Sequence, residues 1–434
     1  MKSIYAIPTH RPIDENNLRD YFSEVDYAIQ IMKKDCMLIF FEDTEEHVNE
    51  ANILRISSMF PKVKYMYINR NDTRKIYDFI YMSLSSKAQT VFKEIYPNAN
   101  VNYGNIFNRI FIFAILLGAD IIVRRDSDVL IEEKDGIKLY PIINELNLLG
   151  TKDNLKTIYI CGGGYKGTYD LDIDSLIRDN GKDYSLVRKL FVCMSIPEEH
   201  HDDIINEEIL NNNIPFEKDI IDYDSKSYPE CGNIGLYKLF HYFPSPCQDF
   251  ILGSDYFFID VAVHSNLDVV YHNRAVIHKH TRDRKSEFSK VYNYWRGLLM
   301  LIDSQIFYRG FYEKYLDNND YNDFAVIDNN VLRMTNDMKR ELALFKTKNS
   351  ERIVKLNNFI EVLQESNDAD VRKISSMLEK EYDNIIKYTN QSIELHIKLI
   401  KYWNEICKAT IYTASRDDVK EYLENRIFGG DIDE

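Results

Sequence analysis

Glycine and proline are scarce, at 16 and 10 of 434 residues. So few chain breakers leave little room for long disordered segments. The six cysteines (Cys36, Cys161, Cys193, Cys231, Cys247, Cys407) include no C-x-x-C pair, which disfavours a structural zinc or a disulfide framework. No apolar run approaches the ~18 residues needed to cross a bilayer. Positive charge is the minority sign: 54 Lys and Arg against 69 Asp and Glu leave −15, which argues against a nucleic-acid backbone as main partner. The start, MKSIYAIPTHRP, reads as strand and turn rather than as a signal peptide. These absences together predict a soluble, reducing, cytoplasmic protein.

What is present is an alternation of apolar runs and helical patterns. Ser3–Pro8, Cys36–Phe41 and Val63–Ile68 read as strands, separated by helices over about Glu15–Lys33 and Glu45–Met59. This βαβαβ order predicts a parallel sheet with right-handed crossovers. No Gly-x-Gly-x-x-Gly opens the first helix, which counts against a dinucleotide dehydrogenase. Residues 101–131 then read as helix, loop, strand and acidic triplet. The helix is Asn105–Leu117, closed by Gly118. The strand is Ala119–Val123, and Asp126-Ser127-Asp128 lies just past its carboxyl end. Ligands bind at that edge in open α/β sheets. Carboxylates at i and i+2 offer oxygens to Mg²⁺ or Mn²⁺, which would in turn hold a diphosphate. As a bare triplet the same acids could be a solvated turn.

Tyr103-Gly104-Asn105, Asn108-Arg109, Leu117 to Ile122 and Asp126-Ser127-Asp128 together resemble the core of GT-A glycosyltransferases, in particular the bacterial family 2-like group. Two departures stand out. The order is Asn-Arg where the family has Arg-Asn, and Arg124-Arg125 replaces apolar residues at the strand end. Pro8-Thr9-His10-Arg11 also resembles the family's first-strand motif, and Asp43 matches the acid that ends its second strand. The resemblance implies that Thr9, Arg11, Asp43, Asn105, Arg109 and Asp126 contact a nucleotide-sugar. Asp126 and Asp128 would bind Mn²⁺ or Mg²⁺ with His278 or His280. Asp255, in Gly253-Ser254-Asp255, matches the general base of inverting members. Arg282 and Arg284 would neutralise the diphosphate.

Residues 166–230 are acidic and irregular, and read as an insertion. Three glycines, 162–164, follow the apparent strand Ile158–Cys161 and suggest a bend or a close backbone approach. From Ser286 onward the texture is amphipathic and helical, with Asp337–Leu363 and Val371–Ile411 as an antiparallel pair that offers either a homodimer face or one wall of the acceptor site. The expectation is therefore an α/β fold: a GT-A-like, Rossmann-like nucleotide-sugar-binding domain over 1–285, followed by an α-helical C-terminal domain over 286–434. The function implied is metal-dependent, inverting transfer of a sugar from a UDP-, GDP- or dTDP-sugar to an acceptor the sequence does not identify. A nucleotidyltransferase of similar fold and a catalytically degenerate scaffold are the rival readings.

Overall fold

The first three strands, β1 (Lys2–Thr9), β2 (Asp35–Glu42) and β3 (Tyr65–Ile68), are apolar along nearly their whole length and buried on both faces. Strands of that kind belong in a parallel sheet covered by helices on each side. The computed structural model describes residues 1–44, 47–98, 102–153, 156–167, 173–178, 181–206, 216–223, 229–247, 253, 256–278, 287–317 and 324–430. In it β1 pairs in parallel with β2 and with β4 (Ile121–Arg125), and β2 with β3.

Four of the first five helices begin at a side-chain cap. Asp14 accepts from the Asn16 amide at the head of α1 (Glu15–Gln30). Asn69 and Asp72 form a capping box on α3 (Arg70–Tyr81). Between these helices lies α2 (Glu50–Ser57). Ser85 caps α4 (Ser86–Phe92), and Asn102 caps α5 (Tyr103–Leu116). Gly118, at φ 64°, closes α5 in the left-handed conformation expected of it.

Beyond β4 come β5 (Val129–Ile131), α6 (Ile142–Leu148), β6 (Lys156–Gly167), α7 (Ser185–Cys193), β7 (Asn233–Tyr237), α8 (Phe257–His264) and β8 (Asp268–His278). The sheet runs β8-β6-β7-β4-β1-β2-β3, with the two-residue strands Ile221–Asp222 and Ile427–Phe428 on its outer edges. β7 is antiparallel to β4 and to β6, whereas β8 is parallel to β6. The glycines 162–164 do not end their strand, because β6 continues through them to Gly167. A Cβ on Gly162 would stand 2.6 Å from the Asn233 carbonyl oxygen, and one on Gly163 2.7 Å from that of Arg274. Their bareness lets β7 and β8 close on either side.

The described C-terminal residues are mostly helical: α9 (Phe288–Phe311), α10 (Phe324–Thr347), α11 (Asn349–Gln364), α12 (Ala369–Leu378) and α13 (Tyr382–Ala414). Asp337–Leu363 is two helices rather than one, parted at Lys348. Val371–Ile411 is likewise parted at Glu379–Glu381. One core joins α7, α9, α11 and α12. The later turns of α13 belong instead to the core beneath α3, α4 and α5, so packing crosses residue 286. A second sheet core lies under α1 and α6. No helix among the described residues is long and apolar enough to cross a membrane.

Candidate functional site

β4 carries two arginines at its carboxyl end, and strand alternation sends them to opposite faces. Arg124 turns toward α5, with its guanidinium 4.4 Å from the Phe107 ring centre. It donates to the Cys231 carbonyl and pairs with Asp126 Oδ1 at 2.8 Å. Arg125 turns toward α1 and α6 and is wholly buried. It meets Glu145 through two contacts, of 2.9 and 2.7 Å, and Glu24 at 3.0 Å. Tyr5 donates to the other Glu24 oxygen at 2.5 Å. Burial pushes the Glu145 carboxyl up to about 7, while Arg125 pulls it down. The departure from an apolar strand end is therefore a paired ionic anchor on each face.

The acidic triplet is held by one face of α1. The Tyr21 hydroxyl donates to the carbonyls of Asp126 (2.8 Å) and Val129 (3.1 Å). Asp20 accepts from the Ile131 amide at 2.8 Å. The amide of Asn17 reaches the Ser127 carbonyl at 3.4 Å. Residues 17, 20, 21 and 24 share one helical stripe. That polar stripe in an otherwise core-facing helix was the signal available in the sequence, and the motif-based reading passed over it.

β-sheet register brings in a third candidate ligand. β5 pairs antiparallel with β8, placing His278 opposite Val129, one residue after Asp128. His278 Nε2 lies 3.5 Å from Asp128 Oδ1. Tyr165, on β6, donates to Asp126 Oδ2 at 2.6 Å and sets its ring 4.8 Å from the His278 ring. Burial raises the Tyr165 phenol well above its ordinary range, so it stays a donor. Gly232 leaves the room this requires. A Cβ there would fall 2.1 Å from the Tyr165 hydroxyl and 2.2 Å from Asp126 Oδ2.

Asp126, Asp128 and His278 each offer one ligand atom, and the three atoms lie within 4.8 Å of one another. Two carboxylate oxygens and one imidazole nitrogen suit a divalent cation of the Mn²⁺ kind, with open positions left for water or phosphate. The residues present therefore fit the metal that the resemblance implies. Arg11 completes the cluster by pairing with Asp128 Oδ2.

A second concavity lies across the ends of β2 and β3. Asp43 is 3.6 Å from the guanidinium nitrogens of both Arg70 and Arg109. Arg109 is almost fully buried and donates to the carbonyls of Glu42 (3.1 Å) and Ile68 (2.7 Å), which ties it to both strand ends. A small pocket of about 20 Å³ is lined by Asp43, Tyr77, Asn105 and Arg109, with Ile95 and Pro97 among its apolar walls. The Tyr77 hydroxyl and Asn105 Oδ1 are buried there with no hydrogen-bond partner among the described residues. Buried polar atoms of that sort are costly unless something binds them.

Thr9 sits beside this pocket through the β1–β2 pairing, and its carbonyl accepts from the Asp43 amide at 2.6 Å. Its hydroxyl donates to the Arg11 carbonyl at 2.8 Å, folding the loop back on itself. Thr9, Asp43, Asn105 and Arg109 thus gather around one end of the sheet, and Asp126, Asp128, His278 and Arg11 around the neighbouring one. Asp255, His280, Arg282 and Arg284 lie outside the described residues. Tyr21, Tyr77, Tyr165 and Gly232 join the two clusters without having been singled out by any motif.

The sheet order, the antiparallel strand inserted between β4 and β6, and the acids at the end of β4 define an α/β fold of the GT-A-like, Rossmann-like class, followed by an α-helical C-terminal region. The chain belongs to DUF6271, a family of unknown function whose model matches residues 2–419. No curated protein matches the sequence. Among solved structures, the chain is similar to the glucosyl-3-phosphoglycerate synthase from Mycobacterium tuberculosis in complex with Mg²⁺ and uridine-diphosphate. Identity is 10%, coverage 71% of this chain and 79% of that one, and the TM-score 0.39. It is also similar to the mannosyl-3-phosphoglycerate synthase from Rubrobacter xylanophilus, at 10% identity, 69% and 73% coverage and a TM-score of 0.37. Superpositions this loose carry no residue role across.

Proposed function

We propose that this protein is a metal-dependent glycosyltransferase that uses a nucleotide-sugar donor. The observation that carries the reading is the convergence of Asp126, Asp128 and His278 on one point at the carboxyl end of β4. The pocket with buried, unpartnered polar atoms at the neighbouring strand ends supports it.

In this reading the nucleoside enters the pocket beside Asp43, Asn105 and Arg109, with Tyr77 as a further hydrogen-bonding wall. Asp126, Asp128 and His278 hold a Mn²⁺ or Mg²⁺ ion. Such an ion acts as a Lewis acid on the leaving diphosphate. Tyr165 and Arg124 fix the orientation of the Asp126 carboxylate. Asp255 takes the proton from the acceptor hydroxyl, and the transfer inverts the anomeric centre. Arg282 and Arg284 balance the diphosphate charge, and His280 lies close in sequence to the metal ligand His278. These last four assignments rest on the sequence.

The direct test is a thermal-shift screen with UDP-, GDP- and dTDP-sugars, each with and without Mn²⁺. The expected result is a metal-dependent rise in melting temperature with one nucleotide. No shift with any of them in the presence of Mn²⁺ would reject the reading. Once a donor is known, proton NMR of the product reads the anomeric configuration, and retention would remove Asp255 from the role of base.

A further inference from the structure

Each carboxylate of the acidic triplet already has an arginine on it, and the two arginines are built differently. Arg124 lies within β4, is nearly fully buried, stacks over Phe107 and also holds the Cys231 carbonyl. Four constraints of strand, ring, carbonyl and carboxylate leave it nowhere to go. Arg11 lies in the loop after β1, and its side chain is 26% exposed. The backbone of that loop is pinned, since the Arg11 carbonyl accepts from both Thr9 Oγ1 (2.8 Å) and Asn49 Nδ2 (3.0 Å). The long side chain alone reaches Asp128.

We propose that Arg11 is an exchangeable counter-ion. It occupies Asp128 while no divalent cation is bound, and it yields that carboxylate when one arrives. The inference rests on the reading of Asp126, Asp128 and His278 as a metal site. Its physical basis is competition. Asp128 oxygens that donate charge to a guanidinium are poorer ligands, and a fixed positive charge beside the site repels an incoming dication. With Arg11 withdrawn and no ion in its place, Arg124 alone would balance the two like charges of Asp126 and Asp128, so Arg11 stabilises the pair of acids. The displaced guanidinium remains tethered at the mouth of the same cleft. There its planar fork is suited to a phosphate of the incoming donor. Metal entry and donor capture are thereby coupled through one side chain. Arg124 plays no part in the exchange and serves to position Asp126.

The test is Mn²⁺ binding to the metal-free full-length protein, read by electron paramagnetic resonance of the free ion, with no substrate present. Arg11→Gln removes the competing charge and is expected to tighten Mn²⁺ by about tenfold at low salt, with the gain shrinking as salt screens it. Arg11→Lys keeps the charge and is expected to bind Mn²⁺ like the wild type. Asp128→Asn is expected to bind little. Circular dichroism confirms that each variant is folded before titration. Affinity in Arg11→Gln equal to or weaker than that of the wild type would overturn the proposal while leaving the metal site intact. Absence of Mn²⁺ binding in both wild type and Arg11→Gln would overturn the metal reading, and this inference with it.

Discussion

The two faces of β4 carry ionic clusters of similar composition and opposite character. Below the strand, Arg125, Glu24, Glu145 and Tyr5 are sealed at zero exposure, and the carboxylates face only donors. Above it, Arg124, Arg11, Asp126, Asp128 and His278 are similarly paired but open on one side, with 25% and 13% of the two aspartate side chains exposed. The closed cluster pairs its charges internally, although Arg125 Nε has no hydrogen-bond partner among the described residues, and it serves to hold the fold together. The open one leaves its two carboxylates partly exposed at the cleft. The difference lies in what covers the charges: α1 and α6 seal the lower set, whereas in the upper set α5 covers Arg124 and the two aspartates stay partly exposed.

Breaking the closed side should have the largest effect, and it should be on stability. Arg125→Met leaves Glu24 and Glu145 buried without their cation, and is expected to cost about 3–5 kcal/mol in urea unfolding. A loss below 1 kcal/mol would mean the cluster is not sealed as described. Adding Glu145→Gln to Arg125→Met is expected to recover part of the loss.

On the open side the signature reverses, with function lost and stability kept. Loss of a partner that merely orients a metal ligand costs roughly 10–100-fold in affinity. Asp128→Asn removes a ligand itself, so its Mn²⁺ affinity should fall beyond that range while the unfolding midpoint stays near wild type. Gly232→Ala lies between these cases, because its methyl would displace Tyr165 from Asp126. A drop in Mn²⁺ affinity of about tenfold is expected, the scale of an outer-shell defect. An unaltered affinity would show that Tyr165 does not position Asp126.

A pH experiment sharpens the contrast from a third place. His396 is buried where α13 meets the chain before α8, between the Tyr308 hydroxyl (2.9 Å) and the Pro244 carbonyl (3.1 Å). Burial pushes its imidazole down to about 3. The folded value lies below the unfolded one of ~6.5, so the fold excludes the proton. Its contribution is complete above that pH and is lost as pH falls toward 3, at about 1.4 kcal/mol per pH unit. His272, buried on β8 and likewise lowered to about 3, adds in the same direction. His396→Asn should flatten the dependence of unfolding free energy on pH between 6 and 4 by about one proton, and an unchanged slope would contradict this.

The smallest expected effect is at the pocket. Tyr77→Phe removes one hydroxyl with no partner among the described residues. It should weaken nucleotide by about 1 kcal/mol, the net worth of one hydrogen bond, with no loss of stability. Equal nucleotide affinity in the variant would place the nucleoside elsewhere.

Most of the sheet was legible because its strands are short apolar runs between capped helices. β1, β2 and β4 each lie within two residues of their expected span at one end or both. Asp126 and Asp128 were legible for the same reason, since their position after a buried strand is a local fact. Lys348 and Glu379–Glu381 were not, because neither break contains Gly or Pro and the apolar period runs on through it. At the glycines 162–164 the sequence left a bend and a close backbone approach both open, and the structure has the approach, to neighbouring strands. Glycine marks either a turn or a close approach, and only the neighbours β7 and β8 decide which.

The sequence by itself determined the βαβαβ order, the parallel core of the sheet, the helical C-terminal region and the acids at the end of β4. All of these follow from periodicity and capping within a window of a dozen or so residues. Tertiary structure decided that His278 meets those acids through β5–β8 register, that Tyr165 and Gly232 shape the space between them, and that α1 ties down their turn. It also decided that Arg11 reaches Asp128. Those contacts span 39 to 152 residues of chain, with Arg11 and Asp128 themselves 117 apart. At such separations the partner of a charge is chosen by how sheet and helices pack, which no local pattern encodes.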